Sequence, residues 1–198
     1  MHGKAIQRAG RYSFVSCSDE TLESGSTDLT HYDMVDLICG ADAKTFSASM
    51  REALASYCRQ GGCLLVSGSK WGTNLQKDDF GKNVLKCTYG GRFSNLSSAP
   101  VKGAGTSFRI QGGANESIYA VPSMECVMPV EGAYSAFAYT NGNYGSGTVY
   151  RGEDYRTLCW DSLWNVWRIQ TFALTSCRLL YKPCCPKNGG RASHKKGM

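Results

Sequence analysis

The sequence predicts an α/β fold, and three observations carry that expectation. An apolar run, an amphipathic stripe and a second apolar run follow one another within about 36 residues, the order of a βαβ unit. Between residues 90 and 147 the chain breaks into short strand-like runs separated by Gly, Asn and Pro. The 198 residues are 42% hydrophobic, enough for one sizeable core and too few for two.

Residues 12–17 alternate briefly and are expected to form a short strand, followed over 18–30 by a polar loop with a helical turn. Residues 32–39 read as a strand covered on both faces and ending at Gly40. From Thr45 the period changes: Phe46, Met50, Ala53, Leu54 and Tyr57 make the apolar stripe of an amphipathic helix, which Gly61 and Gly62 end. Residues 63–67 form a second buried strand before Gly68, so the two strands are expected to be parallel with a right-handed crossover.

The polar segment 69–79 follows the carboxyl end of that strand, the edge at which open α/β sheets hold ligands. Residues 80–89 suit a short helix running into a strand, and 106–110, 117–121, 126–130 and 134–139 suit a strand-rich antiparallel extension. The glycine run at 142–147 reads as a hairpin loop. Two more strands, 147–150 and 155–160, are joined by the turn Arg151-Gly152-Glu153-Asp154. A last helix capped by Asp161 or Ser162 runs toward Tyr181, with Trp164, Trp167, Phe172, Leu174, Leu179 and Leu180 on an apolar face that favours core packing over an aromatic-ligand platform.

The net charge of +6 sits mostly in the tail: Lys182, Lys187, Arg191, Lys195 and Lys196 have no acidic neighbour there, so the body is near neutral. That argues against a nucleic-acid footprint, which needs basic residues clustered on a folded face. The expected organisation is one domain over 1–181 and a basic disordered tail over 182–198. The sequence holds no membrane-spanning apolar run and no signal-peptide block at its start. Of ten cysteines, Cys17, Cys39, Cys63, Cys126 and Cys159 adjoin apolar runs and are expected to be buried reduced thiols; no C-x-x-C pair is present, and the three histidines offer no zinc spacing. No metal and no cofactor is expected.

Two stretches carry a family resemblance: Tyr32-Asp33-Met34-Val35-Asp36-Leu37-Ile38-Cys39-Gly40, and the run from Leu54 through Gly61-Gly62-Cys63-Leu64-Leu65-Val66-Ser67-Gly68-Ser69. They resemble the class I glutamine amidotransferase-like fold, and within it the domain of xanthan lyase-like and N-acetylmuramoyl-L-alanine amidase-like bacterial cell-surface proteins. The likeness extends over about 12–181 and includes Met128-Pro129-Val130-Glu131-Gly132-Ala133. It implies a flavodoxin-like three-layer sheet, a periplasmic or extracellular setting, and an accessory role in a larger polypeptide. The family's usual first strand is missing, so either the chain begins inside the domain or residues 12–17 fill that place.

Active members of that superfamily place a cysteine on a strand-to-helix elbow with a histidine and a glutamate after a late strand. An alcohol or thiol needs a base to take its proton, so the partner is a chemical requirement. Here the elbow segment Ser67-Gly68-Ser69-Lys70-Trp71-Gly72 offers Ser69, and the late strand ends Cys159-Trp160-Asp161 with no His-x-Glu pattern. His2 is terminal, His31 precedes the first strong strand and His194 lies in the tail. Ser69 and Lys70 are the catalytic candidates only if the chain is an enzyme, and a solvated loop charge is the better account of Lys70. The candidate ligand crevice is Gly40, Gly68, Ser69, Trp71 and Asp161. Segment 68–73 lacks a P-loop frame, and Asp78-Asp79 and Glu153-Asp154 fall in polar turns where solvated charge explains them.

The expected function is a non-catalytic or degenerate amidotransferase-like accessory domain of a cell-envelope or polysaccharide-processing protein, more a non-enzyme than an enzyme. Its partners would be other domains of the same polypeptide and a polysaccharide or peptidoglycan. The alternatives are a serine hydrolase or amidase acting on cell-wall amides or esters through Ser69, and a carbohydrate-binding module.

Overall fold

Strand β2 (Cys63–Gly68) has no polar side chain between Leu64 and Val66, and burying both its faces is what organises the rest of the chain. The structure, a computed structural model, describes residues 13–40, 46–76, 79–93, 100–103, 106–109, 124–140 and 144–161. β1 (Met34–Ile38) runs parallel to β2 on one side and β9 (Arg156–Asp161) parallel on the other. Beyond β9 the pairing turns antiparallel through β8 (Tyr144–Arg151), β7 (Ala133–Tyr139), β4 (Pro100–Gly103) and β5 (Thr106–Arg109). The result is a seven-stranded mixed sheet in the order β1-β2-β9-β8-β7-β4-β5. β3 (Cys87–Phe93) and β6 (Met124–Pro129) leave it to form a two-stranded antiparallel sheet, with an irregular register between Tyr89 and Gly91.

Helix α2 (Ala48–Arg59) follows the short α1 (Asp19–Glu23) and connects β1 to β2. Ser47 caps it, its hydroxyl accepting from the Met50 amide at 3.2 Å, a device worth about 1 kcal/mol. Its stripe of Met50, Leu54, Tyr57 and Cys58 is buried in one cluster with Leu37, Leu64, Val66 and Cys159 of the parallel strands. The two glycines that end it have different causes. Gly61 takes the left-handed conformation at φ +89, whereas a Cβ on Gly62 would stand 2.3 Å from the Tyr57 ring. That ring is held because its hydroxyl lies 3.1 Å from the Tyr32 carbonyl and accepts from the Cys63 amide at 3.2 Å.

The βαβ unit and the mixed, strand-rich α/β character therefore agree with the sequence reading. Other expectations change. Residues 13–17 form no strand and are exposed, Phe14 at 46% and Val15 at 74%. The glycine run at 142–147 is only partly a loop, since β8 begins at Tyr144. Gly145 and Gly147 are strand residues at close approaches: a Cβ would meet the Val127 carbonyl oxygen at 2.4 Å and the Trp160 ring at 2.8 Å. The short helix expected after residue 80 is a π-helix over Gly81–Leu85 ended by Lys86 at φ +60. Asp161 ends β9, and the strand over 117–121, the helix to Tyr181 with its cap and the basic tail lie outside the described residues.

Gly68 closes β2 at φ +149, where an added Cβ would sit 2.8 Å from Cys39 Cβ and 2.9 Å from the Gly40 carbonyl oxygen. Gly68→Ala is expected to lower unfolding stability by about 2 to 3 kcal/mol, combining crowding with strain. Gly25→Ala, at φ +72 with nothing within 4 Å, should cost about 1 kcal/mol. Urea unfolding of both variants checks the difference; equal costs would show that crowding at Gly68 is absent.

Candidate functional site

The carboxyl ends of β1 and β2 are tied together by their own backbone. The Cys39 amide donates to the Ser67 carbonyl at 2.7 Å and the Ser69 amide to the Gly40 carbonyl at 2.8 Å, so the parallel pairing continues past both strands and sets Gly40 (φ +68) beside Gly68 and Ser69. Asp161 is placed at the same edge by register, opposite Gly68. Four of the predicted crevice positions, Gly40, Gly68, Ser69 and Asp161, are therefore brought together.

Their environment is dry. Ser69 is fully buried and its hydroxyl has no hydrogen-bond partner. Trp71 is fully buried too, donating its indole N–H to the Trp160 carbonyl at 3.1 Å and meeting the Phe46 ring edge-on at 6.3 Å between centroids. It is a core residue and not a wall open to a ligand. Lys70 is half-buried with its backbone at φ +64, so the left-handed strain in this turn falls on a lysine and not on Ser69. Cys39, the thiol nearest the turn, is pushed up to about 12 by burial and by the Asp36 carboxylate, and so stays protonated at neutral pH.

His31 is remote. It lies in a 3-10 helix (Leu29–His31) ahead of β1, 78% exposed and 3.6 Å from Asp28, whose carboxyl is held below its usual range by the Thr30 hydroxyl and amide. β1 and β2 are parallel, so that end of the sheet is separated from Ser69 by the five residues of β1, roughly 15 Å at 3.3 Å per residue.

Behind the turn stands a group that the sequence reading missed. The Glu125 carboxylate of β6 is fully buried and accepts from the Thr73 amide at 3.1 Å, from the Thr73 hydroxyl at 2.5 Å, and from Arg92 Nη2 of β3 at 2.5 Å and Nε at 3.2 Å. Arg92 Nη2 also donates to the Thr73 hydroxyl at 3.1 Å, and a Cβ on Gly72 would come within 2.9 Å of Glu125 Oε2. The cluster binds the second sheet to the 3-10 helix (Gly72–Gln76) that follows the turn. Its signal in the sequence was one acid inside the apolar run Met124-Glu125-Cys126-Val127, since a charge is seldom buried without a partner.

Among the described residues no group of three or more His, Cys, Asp or Glu side chains could hold a metal ion, and no helix is long and apolar enough to cross a membrane. A shallow groove of about 430 Å³ lies between α2 and the π-helix, floored by Ala48, Ala55, Phe80 and Val84 and including none of the crevice residues.

No family profile matches the chain, and no curated protein matches it in sequence. Solved structures are similar in fold. A cold-adapted β-galactosidase from Rahnella sp. R3 superposes with a TM-score of 0.58 at 17% identity, over 91% of this chain and 27% of that one. The exo-β-1,4-mannosidase Op5Man5 from Opitutaceae bacterium strain TAV5 gives 0.53 at 12% identity, over 79% and 27%. The cytoplasmic protein STM1381 from Salmonella typhimurium LT2 gives 0.55 at 13% identity, over 90% and 80%. The chain thus spans about a quarter of the glycosidase chains it is similar to. Among the described residues the large sheet is mixed and runs from β1 to β5, with antiparallel pairing that an eight-stranded parallel barrel does not have.

These likenesses overturn the resemblance to glutamine amidotransferase-like, xanthan lyase-like and N-acetylmuramoyl-L-alanine amidase-like domains: the solved structures of like fold are glycosidases and Salmonella cytoplasmic proteins. The physical reason is that a glycine pair ending a helix ahead of an aliphatic strand is required here by the Tyr57 ring and by the helix C-terminus. Any βαβ unit closed in this way produces the same letters.

Two outcomes follow. Arg92→Ala removes the main counter-charge of a buried carboxylate and should cost about 2 to 3 kcal/mol, less than a fully buried pair because the guanidinium is 40% exposed. The double variant with Glu125→Gln should recover part of that loss in a urea double-mutant cycle; strict additivity would dissolve the pair. Burial raises the Cys39 and Cys58 thiols from the ordinary 9.0 to about 12. A raised acid stabilises the fold fully below its unfolded value and loses that contribution as pH climbs toward the folded one. Stability should hold from pH 7 to 8.5 and decline above 9 by about 1.4 kcal/mol per pH unit for each thiol. A urea midpoint unchanged at pH 10.5 contradicts this.

Proposed function

We propose that the chain is a non-catalytic module, architectural or binding, of a larger carbohydrate-processing polypeptide. The observation that carries this reading is Ser69: this alcohol just past the carboxyl end of β2 is fully buried with no hydrogen-bond partner. A serine nucleophile needs a base within about 3 Å and an open approach for the electrophile. Ser69 has neither, and the nearest thiol, Cys39, holds its proton to about 12.

The larger context is supported by the share of the glycosidase chains that this fold occupies, about a quarter. Other domains of the same polypeptide and a polysaccharide are the partners this reading implies. The finer architecture belongs with it: three parallel strands, α2 on one face, and Leu65, Leu158 and Trp160 buried on the other support a three-layer sheet of the flavodoxin kind with an antiparallel wing. A second reading, a free-standing protein, is favoured by the 80% coverage of the Salmonella protein STM1381.

The hydrolase alternative separates cleanly. A fluorophosphonate probe should leave Ser69 unlabelled, and Ser69→Ala should raise stability by about 1 kcal/mol, because it removes a buried hydroxyl that bonds to nothing. Labelling of Ser69, or a loss of esterase or amidase turnover in Ser69→Ala, would sink the non-catalytic reading.

A further inference from the structure

We draw no further inference here: the strongest candidate, the shallow apolar groove between α2 and the π-helix, carries none, because its rim sets Arg51 and Arg59 against Glu52 and Asp79 with no charge to select a partner and nothing in the structure shows what covers it.

Discussion

The dry confinement of β2 is the constraint from which the other features follow. With β1 and β9 paired on its two edges and α2 packed across one face, nothing polar along its length meets solvent. The dryness continues past its last residue, because the Cys39–Ser67 and Ser69–Gly40 backbone bonds extend the pairing of β1 with β2 to Ser69, which is fully buried. Trp71 then plugs the edge, its indole nitrogen satisfied by the Trp160 carbonyl. A segment that composition marks as a polar ligand-binding loop is in this way converted into core.

The Glu125 cluster is a second consequence. Once the turn is buried, the 3-10 helix after it needs partners for its amides, and a carboxylate from β6 supplies an acceptor. A buried carboxylate in turn needs positive charge, which Arg92 brings from the neighbouring strand. Three residues distant in sequence therefore specify how the small sheet meets the large one, and charge is used for orientation more than for net stabilisation.

Legibility in the sequence followed the physics of each element. The βαβ unit was readable because its helix shows a 3.6-residue stripe and its strands are unbroken apolar runs, both local signals. Apart from β4, the antiparallel strands were readable as strands but not as two sheets, since the departure of β3 and β6 depends on contacts such as Gly145 against Val127 that no local pattern carries. At the candidate site, Gly40, Gly68, Ser69 and Asp161 lie at one edge of the sheet, while the burial of Gly68 and Ser69 was not foreseen. Exposure depends on what packs from elsewhere, here Trp71 and the Trp160 carbonyl, and Ser69 sits in a stretch whose letters read as a surface loop. The exposed thiol Cys17 shows the reverse error, an apolar run in the sequence that is not buried in the fold.

The position of β9 bears on how the polypeptide is made. β2 leaves the ribosome roughly 90 residues before its second neighbour, which at about 5 to 20 residues per second is a wait of roughly 5 to 18 seconds. Throughout that interval one edge of a strand with the aliphatic centre Leu64-Leu65-Val66 carries unpaired amides and carbonyls, the template on which chains add to one another. Gly68 and the turn it permits give the nascent strand an early stop, so the sticky edge is only six residues long while it waits for translation to deliver its cover.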